Sequence, residues 1–332
     1  MHIFRILNEN IQNPIQIKPI IDTENSEPLI KYGFNPMIDK LEISKLEEKI
    51  QGIDQRFDFS KKEQKEILKK TFGLKDMNID EYKYFCVFWE IYALFLINNK
   101  TLTSGFGELT PPLSLRGLTS GFGELTPPLS LRGLTIETNQ EQALEPLENA
   151  IKKTTKNKVS VRFSGDPNVI FMTDIGINEI QNIISKMNNG CSLIIQIFKI
   201  QTQIIIELFY FLSTLFAEKF IIKPTVISDM SDEKYIVLLN YSGGKIKIPK
   251  LDQYTKSLSI NPSPEFEKVI KKVNSELDPR KIIVYNKVKK FIDQGFYQGD
   301  AYNELLQKQE FLLVQWLDIV TNTEKIKDLV DK

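Results

Sequence analysis

The sequence predicts an α/β protein, a covered and mostly parallel sheet with helical segments on either side of it in the chain. Three observations predict it. Between residues 158 and 239, short runs rich in β-branched and aromatic residues alternate with stretches of helical periodicity. The runs "NVIFMTD" and "SLIIQIF" are nearly continuous in apolar residues, as strands buried on both faces are. At 42% hydrophobic and 26% charged over 332 residues, the chain can bury one large core with appendages or two modest ones.

In chain order, residues 1–37 set short Ile-rich runs among Asn and Pro and read as extended arms. Ser60 followed by Glu63 has the spacing of a capping box that opens a helix through about Lys70. Asp80 to Ile97 reads as a helix that is apolar on most faces and therefore buried. Leu102 to Gly117 then recurs without change as Leu118 to Gly133, carrying Pro-Pro and Gly-Phe-Gly in each copy. Pro-Pro opposes a continuous helix and neither copy sustains an apolar period, so this block reads as a surface loop left by a gene duplication. Glu141 to Lys153 is a short helix. Strands are expected at 158–163, 168–174, 192–198, 219–224 and 233–239, with helices at Asn178–Met187 and Thr202–Ala217 between them. Three helices close the chain, Pro264–Leu277, Lys281–Gln294 and Ala301–Val320. This divides the chain into an N-terminal arm and helical segment (1–79), a central α/β domain with the duplicated insert 102–133 (80–240), and a helical extension (241–332).

Composition removes several function classes. Lysine plus arginine (43) equals aspartate plus glutamate (43), so no global field draws the chain to nucleic acid or a membrane, and any basic face is local. His2 is the only histidine, which removes histidine-based triads and most zinc sites, and no metal site is expected. Cys86 and Cys191 stand far apart among apolar neighbours, as in a reducing compartment. The N-terminus does not read as a secretory leader, and Ile204 to Phe216 is too short for a membrane span. A cytoplasmic location and no membrane partner are expected.

Residues 171–239 carry the informative pattern: "FMTDIG", then "NNGCSLIIQIFKIQTQ", then "FAEKFIIKPTVISDMSDEKYIVLL". This resembles the second half of the FtsJ-like ribose 2′-O-methyltransferases, particularly the cap-modifying kind of large cytoplasmic DNA viruses. Lys223-Pro224, Ser228, Ser231, Glu233 and Tyr235 follow the family's ending, "CVFWEIY" (86–92) is similar to its helix start, and Leu305, Gln309 and Trp316 resemble its C-terminal extension. The resemblance implies a Rossmann-like sheet that binds S-adenosylmethionine and acts on capped mRNA, in the host cytoplasm or a virion if the protein is viral.

The family's Lys-Asp-Lys-Glu tetrad falls here on Val87, Asp174, Gln196 and Glu233. Both lysines are absent. A glutamine has no proton equilibrium near neutral pH and cannot act as a base, a loss of about 10²–10⁴ in rate. Lys83, one helical turn before Val87, is the candidate substitute; Lys199 is assigned to the opposite strand face. The resemblance makes Asp166 in "SGDP" a cofactor-side aspartate, against its plainer reading as a turn. The family's glycine-rich cofactor loop is expected where the duplicated block stands, without an apolar strand before it. These departures imply a weak or inactive methyltransferase. The alternative is a non-enzymatic subunit that holds RNA or a capping or polymerase partner through its helical tail; the basic run 152–158 reads first as a solvated helix end and second as a contact for RNA phosphates.

Overall fold

The computed structural model describes residues 1–7, 15–25, 27–32, 56–96, 134–155, 159–242, 251, 254–296 and 299–322. The duplicated block 102–133 and the end of the basic run, 156–158, lie outside the described residues.

Seven strands form one sheet, in the order β1-β7-β8-β6-β5-β3-β4. They are β1 (His2–Arg5), β3 (Leu134–Thr138), β4 (Val161–Arg162), β5 (Val169–Met172), β6 (Ser192–Ile197), β7 (Phe216–Lys223) and β8 (Lys234–Tyr241). β2 (Ile20–Ile21) and β9 (Thr255–Ser257) make a separate two-stranded ribbon. Strands β3 to β6 pair in parallel. β8 runs antiparallel to both β6 and β7, and β1 antiparallel to β7. The sheet is therefore mixed rather than mostly parallel. Residues 224–233, which join β7 to β8, contain no helix and are too few for a crossover, so the chain turns straight back.

Helices cover both faces. α1 (Lys62–Phe72), α2 (Ile79–Ile91), α4 (Leu147–Thr155) and α8 (Asp300–Val320) share one core with Phe171, Ile194, Tyr235 and Val237 of the sheet. A short α3 (Glu141–Leu144) precedes α4. α5 (Ile177–Lys186), α6 (Gln203–Ser213) and the first half of α7 (Pro264–Asp293) cover the other face, where Leu193, Ile195, Ile236 and Leu238 lie. Neighbouring residues of one strand enter opposite cores, which accounts for the unbroken apolar runs. The result is a Rossmann-like three-layer α/β arrangement. The stripe at 209–216 is core, as the sequence predicts, with Phe209, Tyr210, Phe211 and Phe216 all buried.

Five local expectations change. Ser60 does not cap α1: its N–H, which a capping box would give to Glu63, donates with its hydroxyl to Asp58 Oδ1, at 2.9 and 2.6 Å, and Lys61 stands at the N-cap. The capping box opens α2 instead, where Asn78 Oδ1 accepts the Glu81 N–H at 2.9 Å and Glu81 Oε2 accepts the Asn78 N–H at 2.8 Å. α2 is helical only to Ile91 and continues as a π-helical turn, Tyr92–Leu96. Leu134–Thr138, next to the repeat, is a strand that the sequence reading missed. The first two C-terminal helices are a single helix that runs through Pro279. Proline removes one helical hydrogen bond, but both sides of it are anchored. Asn274 Nδ2 donates to the Ile200 carbonyl at 2.9 Å before it, and Lys281 pairs with Asp232 after it.

Candidate functional site at the carboxyl edge of the sheet

Asp174, Gln196, Glu233 and Lys83 all lie at the carboxyl edge of the sheet, around the ends of β5 and β6. β5 leaves the sheet through Thr173 into Asp174, whose φ of 51° is left-handed, a conformation that aspartate tolerates better than most residues. Gln196 Oε1 accepts the Asp174 backbone N–H at 2.8 Å. Gln196 stands opposite Tyr235 in the β6–β8 ladder. The Tyr235 hydroxyl donates to Glu233 Oε1 at 2.7 Å, and Lys83 Nζ reaches Glu233 Oε2 at 3.5 Å from α2. Burial, and then the adjacent Glu233 carboxylate, hold the Tyr235 phenol far above its usual pKa, so it remains a donor. Val87 is fully buried and presents no charge. Asp174 is exposed, whereas Gln196 and Glu233 are buried at the floor.

A layer of lysines lies behind Glu233, and sequence reasoning did not find it. Lys223, at the end of β7, donates to the Ser231 and Glu233 carbonyls, and burial pushes its pKa down to about 7. Lys234 donates to the Asp232 carbonyl at 2.7 Å and is pushed down to about 8, again by burial. Lys281 of α7 pairs with Asp232 and lies 3.8 Å from Asp278. Lys199 sits past the end of β6, 4.0 Å from Asp232. The usable signal was the Lys-Pro and Asp-Glu-Lys spacing around the β7–β8 turn; the contribution of α7 is non-local and had none.

Asp166 does not join this group. It precedes β5 at the amino edge of the sheet, next to Cys191, whose Sγ donates to the Pro167 carbonyl at 2.9 Å. Parallel strands bring their starts together at one edge and their ends at the other, so a residue before β5 cannot share a site with one after it. The turn reading of "SGDP" holds, with Gly165 at φ 102°.

The strand order reverses between β3 and β5, since β4 lies to one side of β3 and β5 to the other. That crevice is where an open α/β sheet admits a dinucleotide or similar cofactor. The segment that leaves β3 and opens α3 is therefore residues 139–142, not the duplicated block. It reads Asn-Gln-Glu-Gln, without a glycine. Asn139 Oδ1 accepts the Thr173 N–H at 3.1 Å and its hydroxyl at 3.3 Å, and Asn139 Nδ2 donates to the Thr173 carbonyl at 2.5 Å. Gln140 Nε2 donates to Thr173 Oγ1 at 2.9 Å. Two side chains thus bridge the crevice. Beside them a cavity of about 460 Å³ is bordered by Asp80, Glu81 and the loop itself, but the capping box already occupies the start of α2. S-adenosylmethionine, the cofactor that the resemblance implies, would need backbone approach at the β3 exit, where the side chains of Asn139 and Gln140 are bonded to Thr173. Among the described residues no cluster of three or more potential metal ligands occurs.

The chain is similar to the uncharacterized protein R383 of Acanthamoeba polyphaga mimivirus, with 28% identity over 350 aligned residues that cover 98% of this chain and 91% of the relative. No family profile matches the chain. No helix among the described residues is long and apolar enough to cross a membrane.

Proposed function

We propose that this chain is a degenerate FtsJ-like domain, derived from the cap ribose 2′-O-methyltransferases of large DNA viruses, that holds RNA with little or no methyl transfer. The observation that carries the reading is the state of Gln196. It stands at the position of the base, it cannot take a proton, and its carbonyl oxygen is already bonded to the Asp174 N–H. Glu233 is kept, and Lys83 restores one cation next to it from a different position on α2. A held ammonium and an exposed carboxylate suit binding and orientation of a ribose-phosphate chain more than deprotonation of a hydroxyl. The bridged crevice at β3 and β5 agrees, because a transferase requires its methyl donor. The similarity to a giant-virus protein is compatible with a viral origin. A capping or polymerase partner would then supply the chemistry that this chain has lost.

The test is direct. Purified protein is incubated with radiolabelled S-adenosylmethionine and capped RNA, and binding of each is measured separately by calorimetry. Binding of RNA with no saturable binding of S-adenosylmethionine and no methyl transfer is expected. Turnover within the usual enzymatic range, about 1–10³ s⁻¹, would overturn the reading and make Lys83 the group that replaced the missing lysines.

A further inference from the structure

The rim of the site carries an aromatic ring that the tetrad does not use. β6 ends at Ile197, and the next two residues both face solvent: Phe198 is 46% exposed and the Lys199 side chain 60%. The ladder pairs Gln196 with Tyr235 and Ile197 with Lys234. Continued by one step, this register sets Phe198 across from Glu233, and the contact between Lys199 and Asp232 one step later shows the two segments still side by side. Strand alternation places Phe198 on the side of Gln196, which is the α2 side where Lys83 and Tyr84 stand, with Lys83 Nζ 4.5 Å from the Tyr84 ring centroid. The neighbours of Phe198 in sequence, Ile197 and Ile200, are buried. The ring is therefore not extended into a longer exposed apolar run by its own strand end, where the exposed Lys199 follows it.

We infer that Phe198 is a stacking platform for an unpaired base of single-stranded RNA, with Lys199 and Lys83 on the flanking phosphates. The inference rests on the RNA-holding reading above. Every base has a π face, so one exposed ring beside flexible ammonium groups binds single strands with little sequence preference. The other large aromatic residues exposed among the described residues, Phe296 and Phe311, belong to the helical C-terminal part.

A fluorescein-labelled single-stranded 12-mer RNA, followed by anisotropy at low salt, tests this on the full chain. Phe198→Ala is expected to weaken binding about 5- to 100-fold without lowering the melting temperature, because the ring packs little of the core. Phe198→Trp is expected to retain binding, and its added indole emission to be quenched by RNA over the constant signal of buried Trp89 and Trp316. Lys199→Ala should lower the salt slope of binding by about 0.7. If Phe198→Ala binds like the parent and the Phe198→Trp emission is unchanged, the platform is wrong while the RNA reading stands, and the ring then serves a protein contact or none. If the parent itself binds no RNA, the reading beneath the inference fails and the inference goes with it.

Discussion

Replacing Asn139 by alanine tests whether the crevice between β3 and β5 is closed by structural bonds or merely roofed by a movable side chain. Asn139 makes three hydrogen bonds to Thr173, at 3.1, 3.3 and 2.5 Å, and Thr173 is fully buried. Each such bond contributes about 0.5–1.5 kcal/mol net, and an unsatisfied buried group costs about 1–3 kcal/mol. Two corrections reduce the sum. The Thr173 hydroxyl keeps Gln140 as a partner, and Asn139 itself is exposed, so water can follow into the space its side chain leaves. A loss of about 2–3 kcal/mol remains, which for a chain of 332 residues is a drop of roughly 3–4 °C in melting temperature. Urea unfolding followed by circular dichroism measures it, with an unchanged m-value confirming that the native state is what changed. Asn139→Asp, which keeps the acceptor for the Thr173 N–H and loses the donor, should fall between the two. A loss below about 0.5 kcal/mol would show that these bonds do not hold the crevice. Saturable binding of S-adenosylmethionine by the Asn139→Ala variant alone would refute the argument differently, by showing the side chain to be a gate over an intact cofactor site.

Two further outcomes are expected from groups around the site. Trp316 of α8 donates its indole N–H to Glu90 Oε2 at 2.7 Å, and the same buried carboxylate accepts the Thr225 N–H at 3.0 Å, so Trp316→Phe should destabilise the fold by about 2–4 kcal/mol in urea unfolding, from a lost bond to a charged group plus a small cavity. An effect under about 1 kcal/mol would mean that α8 is held by its apolar contacts alone. Lys223 titrates near 7 when folded instead of at its ordinary 10.5, so between those values the unfolded chain binds more protons and stability rises with pH, by at most about 1.4 kcal/mol per unit from this residue. Unfolding free energies from pH 7 to 9.5 should therefore climb, and climb less steeply in Lys223→Met; identical slopes would place the Lys223 ammonium in water.

The parts of the fold that were legible in the sequence are those set by local pattern. β5, β6, β7 and β8 are short apolar runs between polar turns, and the expected strands at 168–174, 192–198, 219–224 and 233–239 overlap all four. What escaped was set at long range. Nothing near residues 2–5 tells that they pair with β7, more than two hundred residues later. Leu134–Thr138 has the β-branched alternation of a strand, but it follows directly on the repeat, and the loop character of one segment was carried into the next. Pro279 is a helix breaker by propensity and is overruled by anchors from the segment after β6 and from the β7–β8 turn. The same holds for the site. Asp174, Gln196 and Glu233 could be brought together from strand ends alone, whereas the lysine layer required α7 to fold back over the sheet.

The amides at this edge also bear on the proposed reading, in which Gln196 stands where a lysine would be the base. β5 exits through two consecutive backbone N–H groups, those of Thr173 and Asp174. Asn139, just past the end of β3, accepts the first, and Gln196 of β6 accepts the second. Neutral amides from both flanking strands thus clamp one turn, and they hold Asp174 in its left-handed conformation. A lysine ammonium has only donors. Placed at 196 it would leave the Asp174 N–H without its acceptor and set a second cation near Lys83, which already occupies Glu233. Gln196→Lys is therefore expected to loosen the turn that carries Asp174. On the proposed reading, the absent base and the bridged crevice go together, because the side chains of Asn139 and Gln196 are both committed to the backbone of β5.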